Sequence, residues 1–115
     1  LKGKIVRVTD TGGIPNDNPY VGDPNAFRCN LHGVVPSNAP LKAKCLEVFA
    51  SGLRNPFRFA LDPNTSNDTV RFFVNDVGGA RWEEISEGGL HLPGADYGWH
   101  LQEGPCPRNK VTECF

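Results

Sequence analysis

Hydrophobic and polar residues alternate in several short stretches of the chain, which is typical of β-strands with one buried face. Residues 69–74 are the clearest strand candidate, because they are rich in β-branched and aromatic residues, and the alternation is clearest at residues 57–61. Residues 4–8 show it over a shorter length, and residues 45–50 and 82–86 are further strand candidates. No stretch of eleven or more residues has apolar side chains at helical spacing. The pattern therefore predicts an all-β fold.

Clusters of glycine, proline, asparagine and aspartate separate these stretches and predict turns. The 115 residues include 13 glycines and 10 prolines. This glycine and proline content indicates many turns but is lower than that of low-complexity chains. Residues 20–44 have no convincing periodicity, so we expect a long loop or an insertion there. The length suits a single region over residues 1–115.

The charge balance argues against two classes of partner. The chain has 12 Lys and Arg residues against 13 Asp and Glu residues, so nothing points to nucleic acid or to an anionic membrane. No apolar run approaches the ~20 residues of a membrane-spanning helix, and no secretion signal is visible. Methionine is absent, so we expect a processed protein or a part of a longer one.

The four cysteines are Cys29, Cys45, Cys106 and Cys114. None belongs to a Cys-x-x-Cys pair, which argues against a zinc ribbon or a thioredoxin-type site. Four cysteines allow three pairings, and the sequence favours the local one, with one disulfide near each end. Two acceptor triplets for N-glycosylation begin at Asn64 and Asn67. Cysteines and triplets together favour a secreted protein, extracellular or periplasmic.

The triplet Arg54, Asn55 and Pro56 is a candidate for ligand binding. Proline stiffens the turn and pushes Asn55 toward extended geometry, so that both polar side chains would project from it. The guanidinium is a planar fork suited to carboxylates, and the amide adds a donor and an acceptor. The alternative is an ordinary turn at a strand end whose arginine pairs with a nearby carboxylate.

A second candidate follows the strongest predicted strand, where Asp76 and Val77 precede Gly78 and Gly79. Two glycines let the backbone turn its carbonyl oxygens toward a hard cation such as Ca²⁺. The alternative is a plain glycine turn. Elsewhere, the three histidines lack metal-site spacing, and nothing selects one of them as a general base. Core packing is the preferred role for the aromatic residues at 97 and 99.

Five motifs occur in an order that resembles the soluble quinoprotein glucose/sorbosone dehydrogenase family, which uses pyrroloquinoline quinone (PQQ). The resemblance spans nearly the whole chain except residues 20–44. The motifs are GKIVRV at residues 3–8, IPNDNP at 14–19, GLRNP at 52–56, DVG at 76–78 with EEI at 83–85, and DYGW at 96–99 with EG at 103–104.

The resemblance implies a six-bladed β-propeller that holds PQQ and Ca²⁺ at one end of its channel and oxidises an aldose at C1. Arg54 and Asn55 match the family's cofactor-binding pair, and Gly78 and Gly79 match the position whose carbonyls bind calcium. Many family members have glutamine where this chain has Phe57. The catalytic histidine of the family lies upstream of residues 3–8, so no catalytic residue is assigned in this chain.

Length limits how much of a propeller the chain can form. A blade takes about 40–50 residues and closed propellers have at least ~4 blades, so about two to three blades are expected here. We therefore expect a partial β-propeller whose partners are an aldose sugar or glycan and the remainder of the propeller. The functional alternative is a non-catalytic propeller module that binds a glycan or a protein.

Overall fold

The computed structural model describes residues 2–29, 43–110 and Cys114, and within them the fold is all-β, as predicted. The only helix in the described part is a single 3-10 turn, and no helix there is long and apolar enough to cross a membrane. The elements are β1 (Ile5–Val6), β2 (Ala26–Phe27), β3 (Lys44–Cys45), β4 (Val48–Ala50), β5 (Pro56–Leu61), β6 (Arg71–Asp76), β7 (Glu84–Gly89), β8 (Gln102–Glu103), β9 (Cys106–Pro107) and the 3-10 turn Arg108–Lys110.

The largest sheet is antiparallel and has the order β5-β6-β7. Its central strand overlaps the predicted stretch 69–74 and has alternating burial, with Phe72, Val74 and Asp76 buried and the residues between them exposed. The outer strand β5 coincides with the predicted stretch 57–61, so the two clearest sequence patterns form neighbouring strands. Such alternation places one face of the sheet on a core.

Strand β7 begins two residues later than the candidate at 82–86. The N–H of Trp82 donates to the carboxylate of Glu103 at 3.3 Å, which keeps residue 82 in the preceding loop. A backbone group engaged there is unavailable to the β6 ladder. The strand therefore starts at Glu84, opposite Asp76.

The core lies between β4 and β6. It contains Phe49, Ala50, Leu53, Phe72 and Val74, each at most 7% exposed. The rings of Phe49 and Phe72 meet edge to face, with centroids 6.3 Å apart, an arrangement that aromatic pairs prefer. Strand β1 pairs antiparallel with β4 and brings Ile5 to the edge of this core.

The expectation that one face of β5 is buried is wrong. Phe57, Phe59 and Leu61 are 66%, 61% and 61% exposed. The ring of Phe59 meets that of Phe72 in the core, at 6.1 Å between centroids. The core is too small to reach across the sheet to its edge strand. The small sheets and these open apolar faces are compatible with part of a β-propeller, and the described residues close no ring.

The long loop expected at residues 20–44 contains a short parallel pair at its two ends, where β2 lies beside β3. Residues 30–42 lie outside the described part of the chain. The disulfide between Cys29 and Cys45 joins the ends of the segment, and Val48 packs against it. A second disulfide joins Cys106 and Cys114, so the structure has the local pairing that the sequence favoured.

Removing the first disulfide should destabilise the intact protein. In the pair Cys29→Ser and Cys45→Ser, a loop with a sequence separation of 16 is no longer closed in the unfolded chain. Loop-closure entropy predicts a loss of about 3 kcal/mol in the free energy of unfolding, measured by urea titration. The matched double variant Cys106→Ser and Cys114→Ser opens a loop with a sequence separation of only 8, so its loss of unfolding free energy should be smaller. An equal or reversed order would contradict the entropic account.

Candidate functional site

The turn that carries Arg54 and Asn55 is held by a carboxylate at the end of β6. The N–H of Arg54 donates to one oxygen of Asp76 at 2.8 Å, and the N–H of Asn55 donates to the other at 2.6 Å. Asp76 is 4% exposed, so both of its oxygens are occupied inside the protein. Hydrogen bonds to an ionised acceptor are short and strong. Asp76 thus fixes the backbone beneath the two predicted cofactor-binding residues.

The same turn is anchored on its other side by Gly52. Its φ of +77° is in the left-handed region, and the N–H of Trp99 donates to its carbonyl at 2.7 Å. A Cβ atom at this position would lie 1.8 Å from Oδ1 of Asp96 and 2.7 Å from the backbone nitrogens of Tyr97 and Gly98. Only glycine permits this close approach.

A methyl group at Gly52 should therefore destabilise the protein. Gly52→Ala combines the strain of a positive φ with a backbone clash, and we expect about 2–3 kcal/mol less stability by urea unfolding. Gly12→Ala is the matched control, because Gly12 has a φ of +79° and nothing within 4 Å of its would-be Cβ. Equal losses in the two variants would show that the clash contributes nothing.

Arg54 and Asn55 are both exposed, and both line an open depression beside the turn. This depression, of about 530 Å³, is lined by Lys2, Gly3 and both predicted residues. Another, of about 430 Å³, is lined by Arg54, Gly79, Trp99, Glu103 and Arg108, among others. The guanidinium of Arg54 donates to the carbonyl of Val77 at 3.1 Å and lies 5.5 Å from the Trp99 ring centroid.

The loop of Gly78 and Gly79 is wrapped around the buried carboxylate of Glu103 on β8. A single oxygen of Glu103 accepts four backbone N–H groups, at distances of 2.7–3.3 Å, from residues 79–82. The N–H groups of Ala80 and Arg81 chiefly lower the pKa of Glu103 from 4.5 to about 2. Glu103 is 2% exposed, so this negative charge is held by the backbone of the loop.

Gly78 has no room for a side chain. A Cβ there would lie 1.5 Å from the carbonyl oxygen of Trp82. Its N–H donates to Oε2 of Glu83 at 3.2 Å. Both features tighten the loop, which explains one of the two glycines without any ligand.

The carboxylates nearest this loop have limited capacity for a calcium ion. Asp76 accepts two backbone N–H groups, and one oxygen of Glu103 accepts four. Within the described residues, the one group of three potential metal-binding side chains is Cys29, Cys45 and Glu47, and its sulfurs are joined in a disulfide. The carbonyls of Gly78 and Gly79 are the donors that this loop could add to a site completed by other groups.

The described histidines are exposed, whereas of the two aromatic residues one packs against the core and the other lines open depressions. His91 and His100 have side chains 51% and 60% exposed, near Glu87 and Asp96 respectively, whereas His32 lies outside the described part. Tyr97 packs against the core, as expected, and its hydroxyl donates to the carbonyl of Glu87 at 2.8 Å. Trp99, for which core packing was expected, instead lines two open depressions.

The two predicted glycosylation residues, Asn64 and Asn67, lie in the turn between β5 and β6, and both are exposed. Asn64 donates its N–H and its side-chain amide to Oδ1 of Asp62, at 2.9 and 3.1 Å. Exposure leaves both positions accessible to modification.

Comparison with known proteins gives three informative similarities. The chain is 30% identical over 101 residues to "Aldose sugar dehydrogenase YliI" of Escherichia coli, covering 88% of the chain. It is 41% identical over 110 residues to "HIPL1 protein" of Arabidopsis thaliana, covering 91% of the chain. It is 33% identical over 92 residues to "HIPL2 protein" of the same plant, covering 80% of the chain.

The matches cover only part of each relative. The chain spans 20% of the E. coli protein, 14% of HIPL1 and 10% of HIPL2. No protein-family model matches the chain, and no solved structure matches it significantly. Over most of its own length, the chain is therefore similar to a short region of an aldose sugar dehydrogenase and of the two HIPL proteins.

Proposed function

We propose that the chain is part of a PQQ- and calcium-dependent dehydrogenase that oxidises aldose sugars at C1, and that it forms one side of the cofactor site. The observation that carries the proposal is the pair of N–H bonds from Arg54 and Asn55 to Asp76. They fix the backbone that carries two adjacent side chains able to recognise a carboxylate, and positioning of this kind reduces the ordering cost of binding. The similarity to an aldose sugar dehydrogenase supports the same function.

In this proposal Arg54 and Asn55 bind the acidic edge of PQQ. Arg54 is free for that role, because no described residue forms an ion pair with its guanidinium. The amide of Asn55 adds both a donor and an acceptor. PQQ, when bound, accepts hydride equivalents from the sugar, and the residues of this chain hold and orient it.

The carbonyls of Gly78 and Gly79 are proposed to contribute oxygens to the calcium ion. Glu103 supports them indirectly, since it fixes the N–H groups of residues 79–82 on the inner side of the loop. Calcium needs six to eight oxygen ligands, so the remaining ligands and the catalytic base are proposed to come from other parts of the propeller. The remainder of the propeller is thus the chain's first partner.

The disulfides also bear on the cellular compartment of the protein. Two disulfides are consistent with an oxidising environment. We propose that the protein is extracellular or periplasmic, with Asn64 and Asn67 as glycan acceptors where the host glycosylates asparagine.

A second candidate function is a propeller module that binds a glycan or a protein without catalysis. It is favoured by Phe57, which occupies the place of a cofactor-facing glutamine and is 66% exposed. An exposed aromatic ring two residues after Asn55 suits stacking on a sugar.

The experiment that separates the two functions is an assay of aldose-dependent dye reduction. The intact protein would be supplied with PQQ and Ca²⁺ and given a panel of aldoses. The proposed dehydrogenase predicts turnover that requires both PQQ and Ca²⁺. Retention of the folded protein on a glycan array, with no dye reduction, would overturn the enzyme and support the binding module.

A further inference from the structure

The indole ring of Trp99 is contacted by two guanidinium groups. Arg54 lies 5.5 Å and Arg108 lies 4.6 Å from the ring centroid. Both distances are within the range of cation–π attraction. The three side chains line one depression of about 430 Å³, together with the loop at Gly79.

The backbone beneath both arginines is held by hydrogen bonds. The N–H of Arg108 donates to the carbonyl of Leu101 at 2.8 Å, and Arg108 follows the disulfide-bonded Cys106 by two residues. The N–H of Arg54 is bound to Asp76 at 2.8 Å. The two arginine side chains therefore start from a fixed backbone, which lowers part of the entropy cost of engaging one ligand together.

Neither guanidinium has an acidic partner within the described part of the chain. Arg7 pairs with Asp17, and Arg71 with Asp62 and Glu87, whereas Arg54 and Arg108 form no ion pair with any residue that the structure describes. Glu103 lines the same depression, but one of its oxygens is occupied by four backbone N–H groups. The two guanidinium groups form no ion pair within the described residues, and the nearby charge of Glu103 is bound by backbone N–H groups, so the arginines can attract an anionic ligand.

We infer that Arg54, Trp99 and Arg108 form a binding site for a small polycarboxylate. Each guanidinium can hold one carboxylate through two parallel N–H bonds, and the indole offers a flat apolar surface to the body of the ligand. The site shares Arg54 with the proposed function but does not depend on quinone chemistry. The polycarboxylate could be PQQ itself, or a free organic acid.

The test is a titration of the intact protein with two probes, PQQ and citrate, in calcium-free buffer at low ionic strength. Arg108→Gln is compared with Arg58→Gln, because Arg58 is an exposed arginine that lies over Phe57 at 5.5 Å, away from the site. We expect Arg108→Gln to weaken binding of at least one probe by tenfold or more, while Arg58→Gln leaves both dissociation constants unchanged. Melting temperatures confirm that each variant is folded.

The outcomes separate this inference from the proposed function. Weakened citrate binding in a protein that does not bind PQQ supports the carboxylate site and counts against the dehydrogenase. Weakened PQQ binding without citrate binding identifies the cofactor as the ligand. Unchanged affinity for both probes in Arg108→Gln, or no binding of either probe by the wild type, overturns the inference, even if dye reduction establishes the enzyme.

Discussion

Replacing Glu103 by glutamine is expected to destabilise the protein more than any other single polar substitution in the described part of the chain. The oxygen that accepts N–H groups from residues 79–82 would become neutral or be replaced by an amide donor. Loss of charge-assisted bonds to several backbone donors should lower the melting temperature by roughly 10 °C or more. The measurement is thermal unfolding of the intact protein followed by circular dichroism.

The effect of this substitution should depend on pH. Because the folded-state pKa of Glu103 is about 2 and its ordinary value is 4.5, the carboxylate stabilises the fold above the higher value. That stabilisation is lost as the pH falls from 4.5 to about 2. The difference in melting temperature between wild type and Glu103→Gln should therefore be largest at neutral pH and become smaller toward pH 2. Asp68→Asn, which neutralises an exposed carboxylate, is the control. A difference in melting temperature that stays constant with pH would contradict the stabilising role of the Glu103 charge.

Truncating Arg54 should greatly weaken the binding of PQQ. If the guanidinium pairs with a desolvated carboxylate of the cofactor, Arg54→Ala should cost roughly 2–5 kcal/mol, or about 30-fold to several thousandfold in dissociation constant. The backbone N–H bond to Asp76 is retained in this variant, so the turn should keep its conformation. The dissociation constants are measured by absorbance titration in the presence of Ca²⁺.

The control for Arg54→Ala is Arg58→Ala, which removes an equally charged and exposed side chain from the neighbouring strand. A general loss of positive charge would weaken binding in both variants, whereas a specific contact would weaken it only in Arg54→Ala. Equal affinities for wild type and Arg54→Ala would refute the assigned role.

The sequence predicted the parts of the fold that depend on local patterns. β-branched and aromatic content located β6, and period-2 alternation located β5, because side chains in a strand alternate between faces whatever covers them. The same pattern could not show how much of β5 is covered, so the exposure of Phe59 and Leu61 was missed. Burial depends on elements distant in sequence.

The candidate site was predicted only in its most local feature. Proline identified the stiff turn at Arg54 and Asn55, but the acceptor of their N–H groups, Asp76, is more than 20 residues away. Glu103 is similarly distant from the loop it holds. Hydrogen bonds between such separated residues leave no periodic signal in a single sequence. The assignment of a core role to Trp99 failed because an aromatic residue beside glycine is typical of both cores and open clefts.

The most direct test of the proposed cofactor site is an absorbance titration of the intact, cofactor-free protein with PQQ in the presence of Ca²⁺. The proposal predicts saturable binding of one PQQ per protein, with a change in the absorbance of the quinone and a large loss of affinity in Arg54→Ala. A folded protein that neither binds PQQ nor changes its absorbance would contradict it.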